Sequence, residues 1–219
     1  MPSRSGKFRV AHHEWHSPEY VQEWIAKDAR READRRALLR RMLALAPFAA
    51  AAGLEVLDVG GGYGLVTDEV LSAFPRARVT LQDYSERMIE RARRHLAGRG
   101  GHVRYILADL RRPSWSGRVG GPFDLVVSAI AIHNLADARA FAACYRAVHA
   151  VLKPGGCFLD CDHFDRVGGI DAHLRALRRV GFEAVECAWQ VPRTAIVKAV
   201  RPQAGGTRAG VASDRRAAD

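Results

Sequence analysis

The stretch from Val56 to Thr67, VLDVGGGYGLVT, constrains this chain more than any other. An apolar run at Leu54, Val56, Leu57 and Val59 suits a buried parallel strand. Glycines then crowd a turn, and Val66, Val70 and Phe74 follow at helical spacing. The local fold is therefore strand, tight turn, helix. Glycine supplies positive φ at such a turn and lets a ligand approach bare backbone. The amides that open the helix face whatever lies above it.

Spacing narrows the ligand. A G-x-G-x-x-G dinucleotide fingerprint begun at Gly60 needs a third glycine where Leu65 stands, and a P-loop needs a lysine that is not nearby. The pattern present is D-x-G-x-G-x-G, at Asp58, Gly60, Gly62 and Gly64. It resembles the first motif of the class I S-adenosylmethionine-dependent methyltransferases, in which the acidic residue and the glycine backbone hold the amino-acid end of the cofactor. Taken alone, a structural strand-to-helix turn that binds nothing is the plain alternative.

Further landmarks of that family follow in order over roughly residues 54–200. Asp83, in Asp83-Tyr84-Ser85-Glu86-Arg87-Met88, comes just past a second strand at 78–81. The resemblance implies that its carboxylate accepts from both ribose hydroxyls while Tyr84 and Met88 pack on adenine. Asp109-Leu110 ends a third strand, 103–107, where Asp109 can accept from the adenine amino group. Phe123–Ser128 resembles the fourth motif, with Ser128 at its end beside the methyl group, and Leu152–Gly156 resembles the turn after it. Ligands of open α/β sheets bind at the carboxyl ends of the strands, where these residues fall.

Strands and helices alternate from residue 54, which predicts a parallel sheet covered on both faces. A fifth strand is expected at 157–162, a helix at about 170–180, and a hairpin from 183–189 and 194–200. Residues 111–122, rich in Gly, Pro and Ser, read as a loop. The expected fold is α/β: a doubly wound, mostly parallel, seven-stranded Rossmann-like sheet whose order, by resemblance, is 3-2-1-4-5-7-6. An N-terminal segment and helical cap (1–50) precede the cofactor-binding domain (51–201), and 202–219 has the composition of a disordered tail.

The cap starts at Ser17-Pro18-Glu19, an N-cap followed by a first-turn proline. Trp15, Tyr20 and Trp24 have too few apolar neighbours for a core of their own, so they are expected to cover the pocket. Packing on a sheet edge is the simpler alternative. His12, His13 and His16 lie close together without the spacing of a metal site, and no metal is expected.

A sulfonium cofactor carries its own leaving group, so the protein chiefly aligns donor and acceptor and excludes water. A base is needed only where the acceptor must lose a proton. His133, after the fourth strand, is the candidate, with His163 in reserve and Asn134 and Asp162 as acceptor contacts. Ser128-Ala129-Ile130-Ala131 stands where base-amino methyltransferases carry [DN]-P-P-[YF], and the Pro-Cys nucleophile of cytosine-C5 enzymes is missing there. The stretch looks instead like small-molecule enzymes of the superfamily, giving O- or N-methylation of a small acceptor.

The 219 residues carry a formal charge of +10, with thirty arginines against four lysines. That balance keeps an RNA-modifying enzyme of the same fold as an alternative, although the arginines are scattered and not interleaved with aromatics. A non-catalytic cofactor-binding or scaffold domain is the other. No apolar run approaches the ~20 residues that span a bilayer, and no signal-peptide core opens the chain, so a cytoplasmic protein is expected. The four cysteines show no C-x-x-C and read as reduced.

Overall fold

The structure, a computed structural model, describes residues 14–135, 137–166 and 168–204. His12, His13 and all but the first three residues of the expected tail lie outside the described residues. Seven strands run β1 (Glu55–Val59), β2 (Arg78–Asp83), β3 (Val103–Leu107), β4 (Phe123–Ala129), β5 (Leu152–Asp162), β6 (Glu183–Gln190) and β7 (Ala195–Val200). They form one sheet in the order β3-β2-β1-β4-β5-β7-β6, in which β7 runs antiparallel to both of its neighbours. This is the expected topology.

The helices are α1 (Pro18–Ala29), α2 (Glu32–Leu43), α3 (Leu65–Ala73), α4 (Glu86–His95), α5 (Trp115–Val119), α6 (Ala138–Val151) and α7 (Gly169–Val180). The cap is two helices rather than one bent helix, because Arg31 leaves helical geometry at φ −118° and ψ 14°. Ser17 caps α1 by accepting from the Tyr20 amide at 3.2 Å. Gly181 ends α7 in the left-handed conformation that an L side chain resists.

Each face of the sheet has its own core. Leu39, Met42 and Leu43 of α2 pack with Val70 and Phe74 against Leu125 and Leu159. Charged groups fasten the same helices: Arg36 reaches Glu69 at 2.6 Å and Asp68 at 2.8 Å, and Arg40 reaches Glu69 at 2.9 Å. On the other face, Phe141, Tyr145 and Leu177 of α6 and α7 cover Val126 and Phe158.

Two local expectations are corrected. The segment 111–122 is not all loop, because α5 forms inside it around Trp115, which is 2% exposed. Burial of one large aromatic there outweighs the turn-rich composition. β5 also starts earlier than expected, at Leu152, pairing with Phe123 across a register shift. Among the described residues no helix is long and apolar enough to cross a membrane.

Candidate functional site

The strand order brings four carboxyl ends together, those of β2, β1, β4 and β5, and the site is built on them. β1 leads into the glycine turn, where Gly60, Gly62 and Gly64 have φ of 66°, 55° and 95°. A Cβ at Gly60 would collide with Ala131 Cβ, whereas one at Gly62 would meet no atom within 4 Å. The turn is therefore pressed against the loop after β4 on one side and open on the other. Asp58 lies beneath it, fully buried, with Oδ2 accepting from Thr67 Oγ1 at 2.7 Å. Its Oδ1 has no partner among the described residues. Burial pushes the Asp58 carboxyl up to about 7, the Asp83 charge adds to this, and the Thr67 hydroxyl opposes it.

Gln82 and Asp83, at the end of β2, tie this turn to its neighbours. Gln82 Oε1 accepts from the Gly60 amide at 3.1 Å, and its Nε2 donates to the Ala108 carbonyl at 2.5 Å. Asp83 accepts from the Gly62 amide at 3.0 Å and from the Ser85 amide at 2.8 Å. Burial raises its carboxyl, while three backbone amides and the nearby His16 favour the charged form. Tyr84 is half-buried between the His16 ring, 5.0 Å away, and the Arg111 guanidinium, 5.4 Å away. Met88 is 2% exposed. Asp109 faces outward more than the sequence implies: both its oxygens accept from Arg111, which holds it below the usual carboxylate range despite partial burial. Leu110 packs at the margin of the core.

The N-terminal segment lies on this same turn. Ser85 Oγ donates to the Trp15 carbonyl at 2.5 Å while also capping α4 through the Met88 amide at 3.3 Å. Trp15 meets Tyr20 and Trp24 edge-on at 5.2 and 5.3 Å, and Trp24 meets Tyr63 of the glycine turn at 6.2 Å. Tyr63 donates to Asp28 of α1 at 2.9 Å, and Asp28 also holds Arg35 at 2.7 Å. The three candidate cap aromatics thus form one cluster rooted in the turn itself.

The second half of the site follows β4. Ser128 is buried and donates to the Val59 carbonyl at 3.1 Å, locking β4 to β1. Ile130 has φ of 54°, a left-handed conformation that costs a β-branched residue of order 1–3 kcal/mol. That kink starts the 3-10 turn Ile132–Leu135, which lays His133 against the end of β5. His133 Nδ1 lies 2.5 Å from Asp162 Oδ1, and its amide donates to Oδ2 at 2.9 Å. The His163 amide donates to the same carboxylate at 2.7 Å. Asp162 is therefore committed to the two histidines rather than turned toward an acceptor. Burial raises its pKa, but the bonds to His133 and His163 outweigh that and hold it below the ordinary value. An ionised carboxylate only accepts, so Nδ1 of His133 carries the proton and Nε2 is the basic atom. His163 stands 5.4 Å from His133, with Nδ1 directed at the Arg193 carbonyl at 3.1 Å; Asn134 is exposed beside them.

One buried carboxyl lies deeper on the same strand. Asp160 is fully buried, and neither oxygen has a partner in hydrogen-bond geometry among the described residues. The Tyr145 hydroxyl, which faces it, pairs with His173 Nδ1 at 2.7 Å. Burial, and then the like charge of Asp162, push the Asp160 carboxyl well above its usual range. An acid whose folded pKa is raised loses stability as pH climbs from its unfolded value, ~3.9, toward the folded one, at about 1.4 kcal/mol per pH unit. Asp160→Asn removes that slope. Its unfolding free energy, compared with wild type by urea titration, is expected to rise relatively between pH 5 and pH 8; parallel curves would show that Asp160 titrates normally.

Sequence reasoning missed Gln82, Thr67, Tyr63 and the Asp162–His133 bond. Gln82 adjoins Asp83 and Tyr63 lies inside the glycine motif, but only the neighbouring strands and helices reveal their partners. The Asp162–His133 pair was readable in part, since both residues follow adjacent strands in the expected order. Among the described residues no group of three or more His, Cys, Asp or Glu is placed to hold a metal.

Residues 56–156 match the methyltransferase domain family. The chain is 39% identical over 87 residues to a release factor glutamine methyltransferase of Chlorobaculum tepidum, covering 36% of this chain and 30% of that protein. It is 31% identical over 102 residues to a ubiquinone/menaquinone biosynthesis C-methyltransferase of Desulfotalea psychrophila, covering 47% and 38%. The chain thus spans about a third of the length of these curated relatives. An O-methyltransferase family protein from Burkholderia thailandensis superposes with a TM-score of 0.62 at 20% identity, over 83% of this chain and 63% of that one, which shows a shared fold.

Proposed function

We propose that this chain is a class I S-adenosylmethionine-dependent methyltransferase and that it methylates a hydroxyl or amine of a small molecule. The observation that carries this reading is the glycine turn with its unpartnered Asp58 Oδ1 below and clear space at Gly62 above. Those features fit the ammonium and carboxylate of the cofactor's amino-acid end. Asp83 would hold the ribose, with Tyr84 and Asp109 on the adenine side. When bound, the cofactor supplies an activated methyl group on sulfur.

The chain's own residues then do three things. The glycine turn and the loop after β4 orient the two reactants against each other, since Gly60 and Ala131 are in contact range. The cap aromatics exclude water. His133 Nε2 accepts the acceptor's proton, and the Asp162 carboxylate stabilises the imidazolium that forms. A basic histidine paired with a carboxylate favours acceptors that must be deprotonated. RNA is not favoured by Arg36 of α2, Arg99 just before β3 or Arg111 just after it, because they are matched by Glu69, Asp68 and Asp109.

Radiolabelled S-adenosylmethionine incubated with fractionated metabolites and with RNA tests the reading. Label is expected in a small-molecule fraction, and S-adenosylhomocysteine is expected to bind where NADH does not. Equal affinity for NADH would overturn the cofactor assignment, and label confined to RNA would overturn the acceptor class.

A further inference from the structure

On the sheet edge opposite the glycine turn, the amino-terminal ends of β1 to β4 open onto a cavity of about 620 Å3. That is within the ~300–1,000 Å3 typical of small-molecule sites. Arg78, His102 and Arg104 all line it, because β2 and β3 run parallel with Val79 beside Val103 and Thr80 beside Arg104. Among the described residues no carboxylate forms an ion pair with any of the three. Like charges on neighbouring strands repel one another, and elsewhere this chain answers clustered arginines with Asp68 and Glu69.

Two of the three basic groups, Arg104 and His102, are also held in place, while Arg78 is exposed. Arg104 Nε and Nη2 donate to Thr80 Oγ1 at 3.4 and 3.1 Å, and Nη2 donates to the Val119 carbonyl. His102 Nδ1 lies 2.9 Å from the Ala77 carbonyl and so donates to it, which makes Nε2 a donor toward an anion in the imidazolium form only. Gly101 lines the cavity with bare backbone, and a Cβ there would meet no atom within 4 Å. Glu55, beside Arg78 in register, is the one carboxylate of the lining, so the wall stays net positive.

We propose that this cavity is a second ligand site, for a small anion bearing phosphate groups or several carboxylates. A guanidinium fork matches both chemistries, and fixing it beforehand lowers the ordering cost of binding. The inference stands apart from the methyl-transfer reading, since none of its residues touches the carboxyl edge of the sheet.

The test is calorimetry on the full chain with pyrophosphate and, separately, citrate, at constant ionic strength. At least one is expected to bind saturably, and Arg78→Gln and Arg104→Gln are each expected to weaken it by about tenfold or more, with S-adenosylhomocysteine affinity unchanged. Arg104 braces the Val119 carbonyl, so Arg78→Gln, at an exposed strand start, keeps the test decisive if Arg104→Gln unfolds. Absence of saturation by about 10 mM of either anion, or equal affinity in the Arg78 variant, overturns the site. Displacement by S-adenosylhomocysteine would move the anion to the glycine turn. A short RNA that displaces pyrophosphate and binds more tightly would assign the surface to nucleic acid instead.

Discussion

Replacing His133 by alanine is expected to lower turnover by ~10²-fold or more while leaving S-adenosylhomocysteine affinity within a factor of a few. The expectation rests on where the ring sits: it follows β4 at the carboxyl edge, 92% buried, with Nδ1 2.5 Å from a carboxylate that also accepts two backbone amides. Those bonds fix both the tautomer and the direction of Nε2. Asp162→Asn removes the charge that holds the proton on Nδ1 and replaces one of the two accepting oxygens with a donor, so it is expected to lose much of the same factor. Because Asp162 is held below its ordinary pKa, its carboxylate stays ionised through pH 6–9, and the wild-type profile is not expected to fall there through protonation of Asp162. Steady-state rates of both variants over that range decide the matter. Wild-type turnover in His133→Ala with loss in His163→Ala would transfer the base to the end of β5, and no loss in either would leave alignment alone to carry the reaction.

Asp83→Ala is expected to weaken S-adenosylhomocysteine binding on the order of 10²-fold. Two ribose hydroxyls on one carboxylate are worth about 1.5–3 kcal/mol each, and 1.4 kcal/mol is a factor of ten. The structure adds a second route to the same loss, since Asp83 also holds the Gly62 and Ser85 amides and so shapes the turn. Asp83→Asn removes the charge but keeps one of the two accepting oxygens, since the Gly62 and Ser85 amides donate to different oxygens, so it is expected to fall between wild type and Asp83→Ala. Calorimetry on both variants measures this, and unchanged affinity in Asp83→Ala would remove Asp83 from the ribose.

Much of this architecture could be read along the chain because the signals are local. The glycine motif, the Ser17-Pro18 cap, the β-rich apolar runs and the closing hairpin each announce themselves within a few residues, and the strand order followed from resemblance. What could not be read depends on contacts between distant segments. Trp115 draws a helix out of a loop-like composition only because a core lies within reach. Asp162 looks like a free acceptor contact until the turn after β4 brings His133 to it. Asp109, Tyr84 and Arg111 show the same thing on a smaller scale: two residues of separation place the guanidinium on the carboxylate, and the sequence gives no sign of which way it folds.

The near-contact between Gly60 and Ala131 bears on how such a protein diversifies. The floor of the site is a glycine against an alanine methyl, with no room for a heavier side chain at position 60. Changes there would push the two reacting partners apart rather than reshape the space between them. The aromatics proposed as a roof are different: Trp15, Tyr20 and Trp24 are only half-buried, and they lie on α1 and just before it, outside the two cores that cover the sheet. Drift in acceptor choice is thereby channelled into the cap, while the floor, whatever the acceptor, stays the same.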